Sequence, residues 1–147
     1  MKKLLGIALA SAAAGLCLSA LKKASDEQTV ELSPVKRSSP NKKAILVVSF
    51  GTSYAQTREK TIGAIEEDFR SAFPEYTIRR AFTSKMIIKK LRERDGIEVD
   101  TVAQALEKLE AEGYSTVICQ PTHVMGGFEF DDVKHEVENW KGRFDHI

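Results

Sequence analysis

Small polar residues that could bind an anionic ligand occur at three points, each just after a short aliphatic run. The first group comprises Ser49, Gly51, Thr52 and Ser53, and it follows the apolar residues 44–48. Hydroxyl and backbone N–H groups at the start of a helix favour carboxylates and other anions. Capping of the next helix is the alternative role for Ser53.

The second group, Thr83, Ser84 and Lys85, follows the predicted strand 76–82. It again stands between a strand and a helix, so it has the same capacity to bind anions. Capping of the following helix is again the alternative for Ser84. A ligand with several carboxylates fits both groups.

The third group lies in the loop 121–127, where His123 stands just past an apolar strand. A histidine at this position is a candidate for chemistry, with a purely structural role as the alternative. Glu129 follows in the first turn of a helix, where it also complements the helix dipole. The glycine pair 126–127 is too short for a dinucleotide-binding fingerprint.

The elements that must position these groups alternate between strands and helices, in the order β-α-β-α-α-β-α. Strands are predicted at 44–48, 76–82 and 116–120, and helices at 54–72, 85–96, 101–113 and 129–141, while residues 144–147 begin a fourth strand. This order predicts an α/β fold with a parallel sheet and helices on both faces. In such sheets ligands bind beyond the carboxyl ends of the strands, which is where all three groups lie.

The N-terminal part of the sequence differs from the rest. Residues 1–20 combine Lys2 and Lys3 with an apolar stretch and small residues, which predicts a cleavable signal peptide and a periplasmic protein without stable membrane insertion. An uncleaved membrane anchor is the alternative. Residues 21–42, rich in Ser, Pro and charges, predict a disordered linker. The chain stops where a fourth strand begins, so a fragment or truncated gene product is expected.

Composition narrows the function classes. The 147 residues are 42% hydrophobic and 29% charged with a formal net charge of +1, which is typical of a globular protein and argues against nucleic-acid binding. Cys17 lies in the predicted signal peptide, so only Cys119 remains and no internal disulfide is expected. Because Cys119 sits in an apolar run, it is predicted to be a buried small hydrophobe.

Four stretches resemble one family. Residues 47–54, 80–88, 91–97 and 103–106, taken in order, are similar to the anaerobic cobalt chelatases that act on sirohydrochlorin or its relatives. The likeness extends over residues 43–147.

The resemblance implies a specific function. Family members are metal chelatases with two similar α/β halves around the tetrapyrrole, so residues 43–147 resemble the N-terminal half of a class II-type chelatase that inserts Co²⁺ into a cobalamin precursor. The cobalt ligands of the family lie in the second half and have no counterparts here. The resemblance assigns tetrapyrrole contacts to Ser49, Gly51, Thr52, Ser53, Thr83, Ser84 and Lys85. It assigns Glu129 to metal choice or proton removal in the cleft.

An alternative function follows from the same likeness. Exported members resemble haem-binding oligomers in which a histidine of the first half ligates haem between subunits. His123 is then the candidate ligand, haem b the cofactor and a homo-oligomer the assembly. The chain would be a non-catalytic periplasmic tetrapyrrole- or haem-binding protein. A cleft position near the metal is the competing role for His123.

Overall fold

The structure, a computed structural model, describes residues 42–147. Within that range three parallel strands and four helices confirm the predicted α/β fold. The strands are β1 (Lys43–Ser49), β2 (Thr77–Phe82) and β3 (Thr116–Pro121). Helix α1 comprises Ala55–Arg58, a π-helical turn Glu59–Gly63 and Ala64–Ala72, and it is followed by α2 (Lys85–Asp95), α3 (Val102–Ala111) and α4 (Phe128–Glu138).

The predicted signal peptide, residues 1–20, and linker residues 21–41 lie outside the described residues. Lys42, the last residue assigned to that linker, is bonded to the folded part. Its carbonyl accepts hydrogen bonds from the N–H groups of Ser115 at 2.9 Å and Thr116 at 3.3 Å. Among residues 42–147, no helix has the length and apolar character needed to cross a membrane.

Strand β1 is the centre of the sheet, which has the order β2-β1-β3. Val48 pairs with Ala81 on one side and with Pro121 on the other. A strand covered on both faces needs apolar residues at successive positions, and β1 is buried from residue 44 to residue 49. A parallel bridge from Thr116 to His146 lies where the fourth strand was predicted to begin.

The two faces of the sheet carry separate apolar clusters. Successive side chains of a strand point to opposite faces, so Leu46 and Val48 share one side. These two pack with Leu106 of α3 and Val133 of α4. On the other side Phe82 packs with residues of α1 and α2. The prediction of helices on both faces is therefore confirmed.

Ser84 caps α2, as its alternative role predicted, whereas Ser53 does not cap α1, whose N-cap residue is Tyr54. Ser84 accepts a hydrogen bond from the N–H of Ile87, and Thr101 forms a capping box with Gln104. Helix α4 ends at Glu138, three residues before the predicted end. The chain continues there in tight turns, with the Trp140 N–H bonded to the Val137 carbonyl.

One apolar residue of α2 lies outside the core. Met86 is 75% exposed, whereas Ile88 and Leu91 are buried. Residues 86 and 88 are about 200° apart around a helix, so burial of Ile88 directs Met86 towards solvent.

Replacing Leu106 with alanine should lower the free energy of unfolding by about 2–5 kcal/mol, because the fully buried side chain leaves a cavity. Urea unfolding monitored by circular dichroism measures the change. Ile118→Ala is the matched control, because Ile118 is 43% exposed, and its loss should stay below about 1 kcal/mol. Equal losses in the two variants would contradict the assigned core.

Candidate functional site

The carboxyl ends of the three strands meet at one edge of the sheet, at Ser49. The Thr83 N–H donates to the Ser49 carbonyl and the Thr122 N–H donates to the Val48 carbonyl, both at 2.9 Å. The Thr122 hydroxyl also donates to the Ser49 hydroxyl at 2.9 Å. Ser49 is only 3% exposed, so its polar groups are used to join the loops. Its predicted contact with a tetrapyrrole stays a prediction.

The β1–α1 loop, residues 50–54, is shaped by a close approach of Gly51 to Phe82. Gly51 has φ +98°, and a Cβ atom there would lie 2.5 Å from Cδ2 of the Phe82 ring. Phe82 is fully buried and its ring has little room to move away. Only glycine meets both conditions without strain.

Three successive residues of this loop have backbone N–H groups that are unbonded within the described part of the chain. The Tyr54 N–H donates to the Thr52 hydroxyl at 3.3 Å, whereas the N–H groups of Gly51, Thr52 and Ser53 make no hydrogen bond to any of residues 42–147. Ser53 itself is 7% exposed. Successive unbonded N–H groups of this kind are suited to an anion.

The second loop contains residues with different roles. Ser84 is buried and caps α2, and its N–H donates to the Phe50 carbonyl at 3.3 Å, which ties the second loop to the first. The Thr83 hydroxyl is buried without a hydrogen-bond partner among residues 42–147. Lys85 is exposed in the first turn of α2. The Thr83 hydroxyl is therefore unpaired but shielded from solvent, whereas the Lys85 ammonium group is open to a ligand.

A cavity of about 380 Å³ opens beside this second loop, between α3 and α4. Apolar side chains form its floor, and its polar lining consists of Thr83, Lys85, Thr101, Glu129, Asp132 and Glu136. The structure thus brings together three of the predicted site residues. The other predicted residues, Ser49, Gly51, Thr52, Ser53, Ser84 and His123, do not line this cavity.

Two cavity residues, Asp132 and Glu136, were not predicted. They follow Glu129 at spacings of three and seven, which places all three carboxyl groups on one face of α4. That spacing was the signal that could have found them. Trp140 Nε1 donates to the Glu136 carboxylate at 3.0 Å. The cavity therefore has an acidic wall on α4, and its lining also includes Lys85 of α2.

His123 lies in the loop after β3, partly buried. Neither ring nitrogen has a hydrogen-bond partner within residues 42–147, although both are shielded from solvent. The following loop residues are open, with Val124 97% and Met125 81% exposed. An imidazole with two unbonded nitrogens can serve as a metal ligand or as a base.

The other metal-binding residue types contribute less. Within the described part of the chain, no group of three or more His, Cys, Asp or Glu side chains is arranged to hold a metal ion. Burial raises the pKa of the Cys119 thiol to about 12, so it stays protonated at neutral pH. Cys119 was predicted to be a buried small hydrophobe, and it is partly buried against the apolar cluster that includes Leu46 and Val48.

Comparison with known proteins gives a consistent result. Residues 43–147 match the sequence model of a family described as cobalt chelatase (CbiK). The chain is 54% identical over 97 residues to a sirohydrochlorin cobaltochelatase of Salmonella typhimurium, covering 66% of this chain. It is 34% identical over 107 residues, 73% of this chain, to the sirohydrochlorin cobaltochelatase CbiKC of Nitratidesulfovibrio vulgaris. The matched region spans 37% of the length of each relative.

Gly51→Ala should destabilise the protein by about 1–3 kcal/mol, since the added methyl group overlaps the buried Phe82 ring and φ is positive. Urea unfolding measures the change. Gly126→Ala is the control, because a Cβ there has no neighbour within 4 Å and its φ is not positive. A Gly51 variant as stable as the Gly126 variant would show that the close approach imposes no constraint.

Proposed function

Because the chain belongs to the CbiK cobalt chelatase family, we propose that it takes part in inserting Co²⁺ into sirohydrochlorin by supplying one wall of the tetrapyrrole cleft. The proposal rests on the match over residues 43–147. The structural observation that carries it is the cavity at the carboxyl edge, which collects Thr83, Lys85 and Glu129. The reaction exchanges two pyrrole N–H protons for one divalent ion, so the site must hold an anionic macrocycle, attract a cation and accept protons.

The carboxylates of the macrocycle belong on the side of the β1–α1 loop and Lys85. The unbonded N–H groups of residues 51–53 and the Lys85 ammonium group all favour negative charge. Helix α4 disfavours it, because Glu129, Asp132 and Glu136 line that wall. This separation of charge would orient the macrocycle in the cleft.

The acidic wall suits the other two requirements. Carboxylates on one side of a cleft raise the local concentration of divalent cations. They can also accept protons that leave the pyrrole nitrogens as the metal enters. Glu129 lies in the first turn of α4, directly after the loop that follows β3. Its carboxylate is therefore proposed to remove protons or to select the metal.

Lys85→Gln should weaken sirohydrochlorin binding, whereas Glu129→Gln should not. Loss of the exposed Lys85 charge should weaken binding by roughly twofold to fivefold, whereas loss of the Glu129 charge should preserve or strengthen binding and slow cobalt insertion. Fluorescence titration of the full chain gives the affinity, and the absorbance change on adding Co²⁺ gives the insertion rate.

Lys89→Gln is the matched control, because Lys89 lies one turn further along α2 and pairs with Glu93 at 3.8 Å. It should bind like the wild type. The assignment of the cleft would fail if Lys85→Gln behaved like the control or if Glu129→Gln weakened binding. The proposed function would be overturned if the wild-type chain did not bind sirohydrochlorin and if the absorbance spectrum of sirohydrochlorin did not change when Co²⁺ was added with the chain.

Haem binding is the second candidate function, and His123 is the observation that favours it. We propose that His123 would hold the iron of a bound haem through a ring nitrogen, because both its ring nitrogens are shielded and unbonded within the described residues. In a homo-oligomer, haem b would lie between subunits, and each of two subunits would provide its His123 to the haem iron. Export to the periplasm, proposed from residues 1–20, is compatible with either function.

His123→Ala should abolish the haem absorbance band that the full chain acquires on titration with haemin, because the ligating nitrogen is removed. His135→Ala is the control, since His135 is exposed on α4, and it should bind haem like the wild type. Size-exclusion chromatography with and without haemin tests the oligomer. Equal haem binding by the wild type and His123→Ala would exclude this role.

A further inference from the structure

Two arginine side chains from outside the β1–α1 loop bind consecutive carbonyl groups within it. Arg58 Nη1 of α1 donates to the Thr52 carbonyl at 3.3 Å. Arg94 Nη2 of α2 donates to the Ser53 carbonyl at 2.5 Å. A carbonyl held in this way fixes the plane of its peptide group, which also contains the N–H of the next residue. Arg58 therefore orients the N–H of Ser53, one of the unbonded donors, whereas Arg94 orients the N–H of Tyr54, which donates to the Thr52 hydroxyl and so helps to hold the loop in one shape.

Asp95 holds the Arg94 guanidinium in place. Arg94 Nε donates to Oδ1 at 2.7 Å and Nη2 donates to Oδ2 at 2.6 Å, which is a bidentate pair. The hydrogen bond from Arg94 lowers the pKa of Asp95, and the nearby charges of Arg94, Arg58 and Lys90 lower it further. Asp95 is therefore ionised at neutral pH and offsets part of the positive charge of the two arginines.

The pair is carried by a rigid element. Arg94 and Asp95 are the last two residues of α2, which ends at Gly96 in the left-handed conformation with φ 66°. The Gly96 N–H donates to the Arg92 carbonyl at 3.1 Å, and Leu91 in the same turn is fully buried. Arg94 thus connects a fixed helix end to a loop 41 residues earlier in the chain.

The Arg94–Asp95 pair is poorly placed to stabilise the fold. Its side chains are 46% and 27% exposed, and ion pairs in contact with water contribute little to stability. Its specific geometric effect is on the Ser53 carbonyl.

We infer that Arg94, held by Asp95, is a positioning residue that sets the backbone of the β1–α1 loop for the ligand without contacting the ligand itself. The inference rests on the proposed role of that loop in binding a tetrapyrrole. It explains how the buried Ser53 can contribute to ligand binding, because it would act through its backbone groups and not through its side chain.

The test compares Arg94→Ala, Arg94→Lys and the matched control Arg92→Ala in the full chain. Arg92 lies in the same helical turn and pairs with Glu98, but it makes no contact with the loop among the described hydrogen bonds. Three quantities are measured for each protein: the melting temperature, the sirohydrochlorin affinity, and the backbone ¹⁵N order parameters of residues 51–54.

Arg94→Ala should weaken binding by about tenfold, as expected for loss of one hydrogen bond from a charged donor. The order parameters of the loop should fall from about 0.85 towards 0.6, while the melting temperature changes by less than about 4 °C. Arg94→Lys, which keeps a donor for the Ser53 carbonyl, should recover part of both losses. Arg92→Ala should resemble the wild type in all three measurements.

The inference would be overturned if Arg94→Ala bound sirohydrochlorin as tightly as the wild type does. It would also be overturned if Arg94→Ala and Arg92→Ala lost the same amount of affinity. If the wild type does not bind, the proposed function fails instead. The order parameters then decide the positioning role alone, and a loop unchanged in Arg94→Ala would overturn it.

Discussion

The proposed site depends on how the central strand ends. At Ser49 a carbonyl and a hydroxyl are bonded to the two neighbouring loops, through Thr83 and Thr122. Because Ser49 is almost fully buried, breaking these bonds would leave polar groups without water to replace their partners, which costs far more than breaking a surface bond. The loops after β2 and β3 therefore leave the sheet from positions fixed by one residue of β1.

Beyond Ser49 the three loops differ in how firmly they are held. The first is held by the contact between Gly51 and Phe82 and by the bond from Arg94. The second is continuous with α2 through the cap at Ser84. The third leaves Val124 and Met125 exposed soon after Thr122. Segments with few buried apolar contacts open at the lowest free-energy cost. The third loop is thus the part of the site that a ligand can reshape most easily.

Much of the fold was predictable because buried positions are occupied by apolar residues, whose pattern can be recognised in the sequence. The unbroken aliphatic residues 44–48 were correctly predicted to form a strand, which is the central and most deeply buried one. The meeting of three polar loops follows from parallel strands alone. The acidic wall at Asp132 and Glu136, and the bond from Arg94 to Ser53, were not predicted. The spacing of Asp132 and Glu136 from Glu129 showed that they share a helix face, but which face lines a cavity depends on how the helix packs against the sheet. The bond from Arg94 joins residues 41 positions apart, for which the sequence has no local signal.

The residues predicted to bind a tetrapyrrole divide according to whether their polar groups are already used. The hydroxyls of Ser49 and Ser84 are bonded within the protein, so a ligand would have to displace those bonds to reach them. The Thr83 hydroxyl and the Lys85 ammonium group carry no such cost. In the proposed site, residues of the first kind would set its shape and residues of the second kind would be available to a ligand. Because Lys85 and the α4 carboxylates line the same cavity, the charge of a ligand would decide which of these groups each part of it approaches.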